Sequence, residues 1–72
     1  MKKIKKIKIR LNGKVKSIIY DYKLSDLLKH HKIALNKVAI ELNEEIIDKK
    51  KINKIKLKKN DKIEIVHFIG GG

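Results

Sequence analysis

Alternating apolar and polar residues near the start of the chain predict a β-hairpin over residues 4–20. The apolar residues of the first strand alternate with cationic ones and fall on one face: Ile7, Ile9 and Leu11. Asn12-Gly13 follows at once, and this dipeptide favours a tight hairpin because both residues accept a positive φ. The return strand runs from Val15 to Tyr20, and three of its residues share one face: Val15, Ser17 and Ile19.

The period changes over residues 24–33, which predicts the main helix. Four residues fall at i, i+3, i+4 and i+7 and form one stripe: Leu24, Leu27, Leu28 and His31. Ser25 and Asp26 lie in the first turn, where acceptors and negative charge are favourable, and Lys29 lies near the end, where positive charge is favourable. We therefore expect an amphipathic helix that covers one face of a sheet.

Three more strands are predicted after the helix. Residues 37–43 alternate again, Asn43-Glu44-Glu45 predicts a turn, and Ile46-Ile47 predicts a short strand that pairs back. Residues 48–56 read as a connection with one helical turn, and Leu57 is a candidate core residue.

The final strand, residues 62–69, follows a turn at Lys59-Asn60-Asp61. One face of it carries Ile63, Ile65, His67 and Ile69, and the other carries Glu64, Val66 and Phe68. The order β-β-α-β-β-β predicts an α+β fold in which a mixed sheet packs on one main helix. We expect one domain over residues 1–68 and a flexible glycine tail over residues 69–72.

Composition narrows the possible functions. A chain of 72 residues without cysteine has no disulfide framework, thiolate zinc site or cysteine nucleophile. It is also short for a complete enzyme pocket, so we expect a protein that is not an enzyme. No apolar run approaches the roughly 18 residues of a membrane span, and the lysine-rich start lacks the apolar segment of a signal peptide. We therefore expect a cytoplasmic protein that does not bind membranes.

The formal net charge of +12 has two interpretations. Basic proteins often bind nucleic acid or anionic membranes, so a small nucleic-acid-binding module and a membrane-surface peptide over residues 1–11 are possible. Alternatively, Lys, Ile and Asn supply 38 of the 72 residues, which indicates a compositional bias that places lysines on every solvated face. We favour the second interpretation and expect no nucleic-acid partner.

The end of the chain carries the most specific chemistry. An apolar strand runs directly into Gly70-Gly71-Gly72. Glycine lacks a Cβ and adopts almost any backbone angles, so such a tail can enter a slot too narrow for side chains. There the main-chain carboxylate of Gly72 can be activated by a partner enzyme with ATP and then attacked by sulfur or nitrogen. Val66 and Phe68, on the solvated face beside the tail, are candidates for docking that enzyme.

Four segments occur in an order and spacing that match one family: Leu11-Asn12-Gly13-Lys14, Leu24-Ser25-Asp26-Leu27-Leu28, Val38-Ala39-Ile40-Glu41-Leu42-Asn43 and residues 59–72. Through them the whole chain resembles the ThiS family, the ubiquitin-like sulfur carriers that supply sulfur for the thiazole ring of thiamine. The sequence departs from the family at Asn43-Glu44, where Asn-Gly is frequent, at Asp48, where Pro is frequent, and at Asn60, which replaces Gly. All three departures are loop changes.

The resemblance implies a β-grasp fold and a specific chemistry. It implies that a ThiF-like enzyme adenylates Gly72 and that the carboxylate becomes a thiocarboxylate, while Gly70 and Gly71 thread into the partner's active site. It also implies sulfur from a cysteine desulfurase and transfer to a ThiG-like thiazole synthase. From their place beside the tail, we expect Val66, Phe68 and Ile69 to dock the partner. Other carriers share a Gly-Gly end, namely the small subunit of molybdopterin synthase and carriers for tRNA thiolation, so they remain alternatives.

No metal or bound cofactor is expected, and we expect a monomer when the chain is alone. His30 and His31 are adjacent, so on a helix their side chains diverge by about 100° rather than meeting at one metal. His67 shares a face with Ile65 and is expected to be structural rather than an acid or base.

Overall fold

The computed structural model describes residues 4–68. Within this range, five strands, one α-helix and two 3₁₀ helices form the fold. Their bounds are β1 Lys6–Leu11, β2 Lys14–Ile19, α1 Leu24–His30, the first 3₁₀ helix Leu35–Lys37, β3 Val38–Leu42, β4 Glu45–Ile46, the second 3₁₀ helix Lys49–Lys54 and β5 Lys62–His67. This is the predicted element order, and the predicted tail, residues 69–72, lies outside the described residues.

The strands form one mixed sheet in the order β2-β1-β5-β3-β4. The two hairpins, β1–β2 and β3–β4, are antiparallel, and β5 lies between them, parallel to β1 and antiparallel to β3. The last strand is therefore the central strand of the sheet. This arrangement of a mixed sheet on one helix confirms the expected β-grasp fold.

The core lies between the sheet and the helical layer. Its buried apolar residues come from every strand except β4, from α1, from the second 3₁₀ helix and from the segment between that helix and β5: Ile9, Leu11, Ile18, Leu24, Leu27, Leu28, Val38, Ile40, Ile52, Leu57, Ile63 and Ile65. The alternation predicted for β1, β3 and β5 is confirmed, as is the core position of Leu57. On β2 the predicted shared face of Val15, Ser17 and Ile19 is the solvated one, and Ile18 is the buried residue.

The helix is shorter than predicted. It ends at His30 because Lys32 takes a left-handed conformation with φ 54°, which turns the chain back. The N–H of Ile33 then donates to the carbonyl of Leu28 at 3.1 Å. His31 lies beyond the helix end and is exposed, so its predicted place on the helical stripe was wrong. No helix within residues 4–68 is long and apolar enough to cross a membrane.

Candidate functional site

The central strand β5 leads directly to the predicted site. Of the residues predicted to function, Ile69, Gly70, Gly71 and Gly72 lie outside the described residues. Val66 and Phe68 are described, and both point to the solvated face of the sheet, as predicted. Val66 is 49% exposed and Phe68 is 60% exposed. Val66 lies opposite Ala39 of β3, so the sheet carries an apolar surface beside the start of the tail.

Phe68 is held at two points. Its backbone N–H donates to the carbonyl of Lys37 at 2.9 Å, which extends the pairing of β5 with the chain entering β3. The Nζ of Lys49 lies 5.3 Å from the centre of its ring, within the range of a cation–π interaction. Sequence analysis missed both lysines, because no local pattern connects Lys37 or Lys49 with Phe68. Together these contacts fix the position of the last described residue before the tail.

Two turn asparagines hold β5 from opposite sides. In the β1–β2 turn, the side-chain oxygen of Asn12 accepts a hydrogen bond from the N–H of Ile65 at 2.8 Å. In the β3–β4 turn, the side-chain oxygen of Asn43 accepts a hydrogen bond from the N–H of Lys62 at 2.9 Å. The Asn43 amide also donates to the carboxylate of Asp61 at 3.0 Å. The strand that precedes the tail is thus tied to both hairpins through their turns.

The three histidines lie at the ends of two elements, His30 and His31 at the end of α1 and His67 at the end of β5. His67 is exposed at the end of β5. The rings of His30 and His31 meet edge to face with their centres 5.2 Å apart. Partial desolvation by its neighbours, and then the nearby positive charges of His30 and Lys16, lower the pKa of the exposed His31. Within residues 4–68 there is no cluster of three or more His, Cys, Asp or Glu side chains able to hold a metal ion.

A groove of about 340 Å³ lies between β2 and the end of α1. Ile18, Tyr22 and Leu27 contribute apolar surface, and Lys16 lies at its edge with His30 and His31. None of its lining residues comes from β5. The groove therefore does not continue the surface around Val66 and Phe68.

Comparison with known proteins gives a consistent result. The model of the ThiS family matches residues 9–72. The sulfur carrier protein ThiS of Bacillus subtilis (strain 168) is 42% identical over 65 residues, which cover 89% of this chain and 98% of that protein. A solved structure, the thiamine biosynthesis protein ThiS of Geobacter metallireducens, superposes with a TM-score of 0.78 at 28% identity, covering 92% of this chain and all of that one.

A different kind of protein also contains a similar stretch. The thiazole synthase of Magnetococcus marinus is 38% identical over 66 residues. That alignment covers 92% of this chain but only 20% of the enzyme. A unit of this size and sequence thus also occurs within a much longer protein.

Proposed function

The chain belongs to the ThiS family, and on that premise we propose that it is a sulfur carrier protein for the thiazole ring of thiamine. Partner enzymes act on it, and it is not itself a catalyst. The observation that carries the proposal is the family match, which extends through Gly70, Gly71 and Gly72 and includes the segment that would bear the sulfur. A molybdopterin-synthase or tRNA-thiolation carrier is less well supported, because the named relatives are ThiS proteins and thiazole synthases.

The reaction takes place on the main chain. A carboxylate oxygen of Gly72 attacks the α-phosphorus of ATP, which forms an acyl-adenylate and releases pyrophosphate. A sulfur nucleophile at the oxidation level of hydrosulfide then attacks the acyl carbon and displaces AMP, which leaves a thiocarboxylate. A ThiF-like enzyme supplies the adenylation site, and a cysteine desulfurase supplies the sulfur as an enzyme persulfide, which two thiols reduce to hydrosulfide as they form a disulfide. The carrier contributes a narrow tail, since Gly70 and Gly71 have no side chains to obstruct the slot.

Docking of the adenylating enzyme involves Val66, Phe68 and Ile69. Val66 and Phe68 form an exposed apolar pair, and such pairs bind partners when they are buried on association. The contacts of Lys37 and Lys49 with Phe68 keep the aromatic ring and the chain direction fixed, so less conformational entropy is lost on binding.

The acceptor of the sulfur is a ThiG-like thiazole synthase. The similar stretch within the Magnetococcus marinus enzyme supports this partner. Joining a carrier to its acceptor enzyme in one chain raises the effective concentration of the carrier at the enzyme. This favours two proteins that must bind each other in every round of sulfur transfer.

Intact mass after thiol alkylation tests the sulfur chemistry. The full chain is produced together with a ThiF-like enzyme and a cysteine desulfurase and then treated with a thiol alkylator. Because the sequence has no cysteine, a single adduct reports a thiocarboxylate. We expect one adduct on the wild type and none when Gly72 is deleted. No adduct on the wild type, with the same enzymes active on Bacillus subtilis ThiS, would contradict the proposal.

A matched pair of aromatic variants tests docking. Phe68 and Tyr20 are each 60% exposed, and each has a lysine Nζ over its ring, Lys49 at 5.3 Å and Lys5 at 4.8 Å. We expect Phe68→Ala to raise the KM of the adenylating enzyme for the carrier at least tenfold, since a docking aromatic typically contributes more than about 1.4 kcal/mol. Tyr20→Ala should leave that KM within about twofold of the wild type. Equal effects of the two variants would remove Phe68 from the docking surface.

A further inference from the structure

The solvated face of the β1–β2 hairpin carries positive charge on β1 and no negative charge. Lys6, Lys8 and Arg10 of β1 point outward, because the alternating residues Ile7, Ile9 and Leu11 point to the core. Residues 4–20 contain six cations and no Asp or Glu. On β2, Val15 and Ile19 are apolar and exposed, and they lie opposite Arg10 and Lys6 of β1. We call this surface, formed by Lys6, Lys8, Arg10, Val15 and Ile19, the basic hairpin face.

The part of the sheet formed by β3 and β4 is acidic. Residues 38–48, which include β3 and β4, contain four carboxylates and no Lys or Arg. Those on or beside the strands form what we call the acidic edge: Glu41, Glu44 and Glu45, joined by Glu64 of β5. Lys62 lies among them, with its Nζ 3.8 Å from a carboxylate oxygen of Glu44 and 3.8 Å from one of Glu64. The acidic edge therefore keeps an excess of negative charge.

The charge changes sign across the sheet between neighbouring strands. The three cations of the basic hairpin face lie on β1, and the adjacent strand β5 carries Glu64. With strands about 4.8 Å apart, β1 and β3, which carries Glu41, are separated by roughly 10 Å, about one screening length at physiological salt. A partner that spans the sheet therefore meets positive charge on β1 and negative charge on β3. β5 runs between these two strands toward Val66 and Phe68.

A general excess of lysine does not explain this division. Such a bias would place lysines on every solvated stretch, yet residues 43–46 are all exposed and include two glutamates and no lysine. Within residues 4–68, the ion pairs involve Lys56 and Lys62, and none involves Lys6, Lys8 or Arg10. The cations of the basic hairpin face are therefore available to a partner.

We propose that the basic hairpin face binds an acidic surface of the adenylating enzyme and so sets the orientation in which the carrier docks. This inference rests on the proposed function. The enzyme's surface is acidic opposite β1 and β2, basic opposite the acidic edge, and apolar between them, where it receives Val66 and Phe68. Only one orientation then matches both charged regions, and it directs the central strand and its tail toward the enzyme.

A protein fits these features better than a nucleic acid does. A nucleic acid offers only negative charge, so Glu41, Glu44, Glu45 and Glu64 would repel it. A protein surface offers both signs of charge and apolar contacts for Val15 and Ile19. The two possibilities predict opposite effects of removing the acidic edge.

Association rates of the full chain with the ThiF-like enzyme test the proposal at about 0.05 M and about 0.5 M salt, where screening differs strongly. The hairpin variant carries Lys6→Gln, Lys8→Gln and Arg10→Gln. The control variant carries Lys29→Gln, Lys51→Gln and Lys54→Gln, which removes the same charge from the helical layer. At low salt we expect about tenfold slower association for the hairpin variant and less than a twofold change for the control. High salt should abolish the difference. Circular dichroism confirms that each variant is folded.

A third variant distinguishes the two classes of partner. Glu44→Gln with Glu45→Gln should slow association with the enzyme about two- to threefold, because complementary contacts are lost. If nucleic acid is the partner, the same variant binds a single-stranded DNA probe of about 20 nucleotides more tightly than the wild type does. Tighter DNA binding together with unchanged association with the enzyme would overturn the proposal.

Failure of this inference differs from failure of the proposed function. Equal association rates for the hairpin and control variants, with the wild type still acquiring its alkylatable group, overturn only the basic hairpin face. A wild type that acquires no such group overturns the carrier function itself.

Discussion

Replacing Glu44 with glycine is expected to stabilise the domain. Glu44 lies in the tight turn between β3 and β4 with φ 72°, and Asn43 beside it has φ 52°. A type I′ hairpin turn requires both values to be positive, and the second position favours glycine. Glutamate therefore occupies a left-handed conformation that its Cβ disfavours.

The expected gain is the balance of three contributions. Relieving a left-handed non-glycine residue recovers about 1–2 kcal/mol. The greater freedom of glycine in the unfolded chain costs about 0.5–1 kcal/mol. The ion pair of Glu44 with Lys62 is long, at 3.8 Å, and the glutamate side chain is 82% exposed, so its loss costs only a few tenths. With central values the net gain is about 0.5 kcal/mol, which raises Tm by about 2–4 °C in a domain of this size.

Urea unfolding followed by circular dichroism measures the effect, with an unchanged m value indicating an unchanged two-state transition. Glu45→Gly is the matched control, because Glu45 has no positive φ and lies within β4. It removes the same charge and adds the same entropy cost without relieving strain, so it should destabilise the domain by about 0.5–1 kcal/mol. Glu44→Gln should change the stability little, since it keeps the Cβ.

Backbone strain at Glu44 is excluded if Glu44→Gly lowers the free energy of unfolding as much as Glu45→Gly does. Stabilisation by Glu44→Gln equal to that by Glu44→Gly would also exclude it, because charge rather than backbone strain would then be the cause.

Three other variants test separate contacts. Asn12→Ala should lower the free energy of unfolding by about 2 kcal/mol, because the N–H of Ile65 loses its acceptor and alanine disfavours φ 49°; Asn12→Gly, which accepts that φ, should lose about half as much in the same urea titration. Lys49→Met should raise the KM for adenylation about two- to fivefold, the value of one exposed cation–π contact with Phe68, and an effect as large as that of Phe68→Ala would contradict this assignment. Because the pKa of His31 is lowered, the folded state binds a proton at His31 less readily than the unfolded state, so stability should be highest above the unfolded pKa near 6.5 and decline as pH falls below that value. His31→Gln should weaken that decline, and an identical pH profile of Tm for both proteins would contradict the role of His31.

Much of the fold and part of the site could be predicted from local sequence. Alternation identified β1, β3 and β5, Asn12-Gly13 identified the first turn, and the outward direction of Val66 and Phe68 followed from the same period. Asn60, which stands where the family has glycine, takes the left-handed conformation that asparagine tolerates, with φ 70°. These features depend on residues within a few positions of one another, so local conformational preferences determine them.

Local sequence therefore sets the order of elements, the solvated and buried faces of most strands, and the glycine tail predicted to carry the chemistry. Packing of the whole chain places β5 between the two hairpins, where Asn12 and Asn43 hold it from opposite sides. The same packing brings Lys49 to Phe68 and places the cations of β1 across β5 from the carboxylate of Glu41 on β3. The physical reason is that periodicity constrains neighbours in the chain, whereas strand order and side-chain contacts between distant segments arise only when the whole core packs.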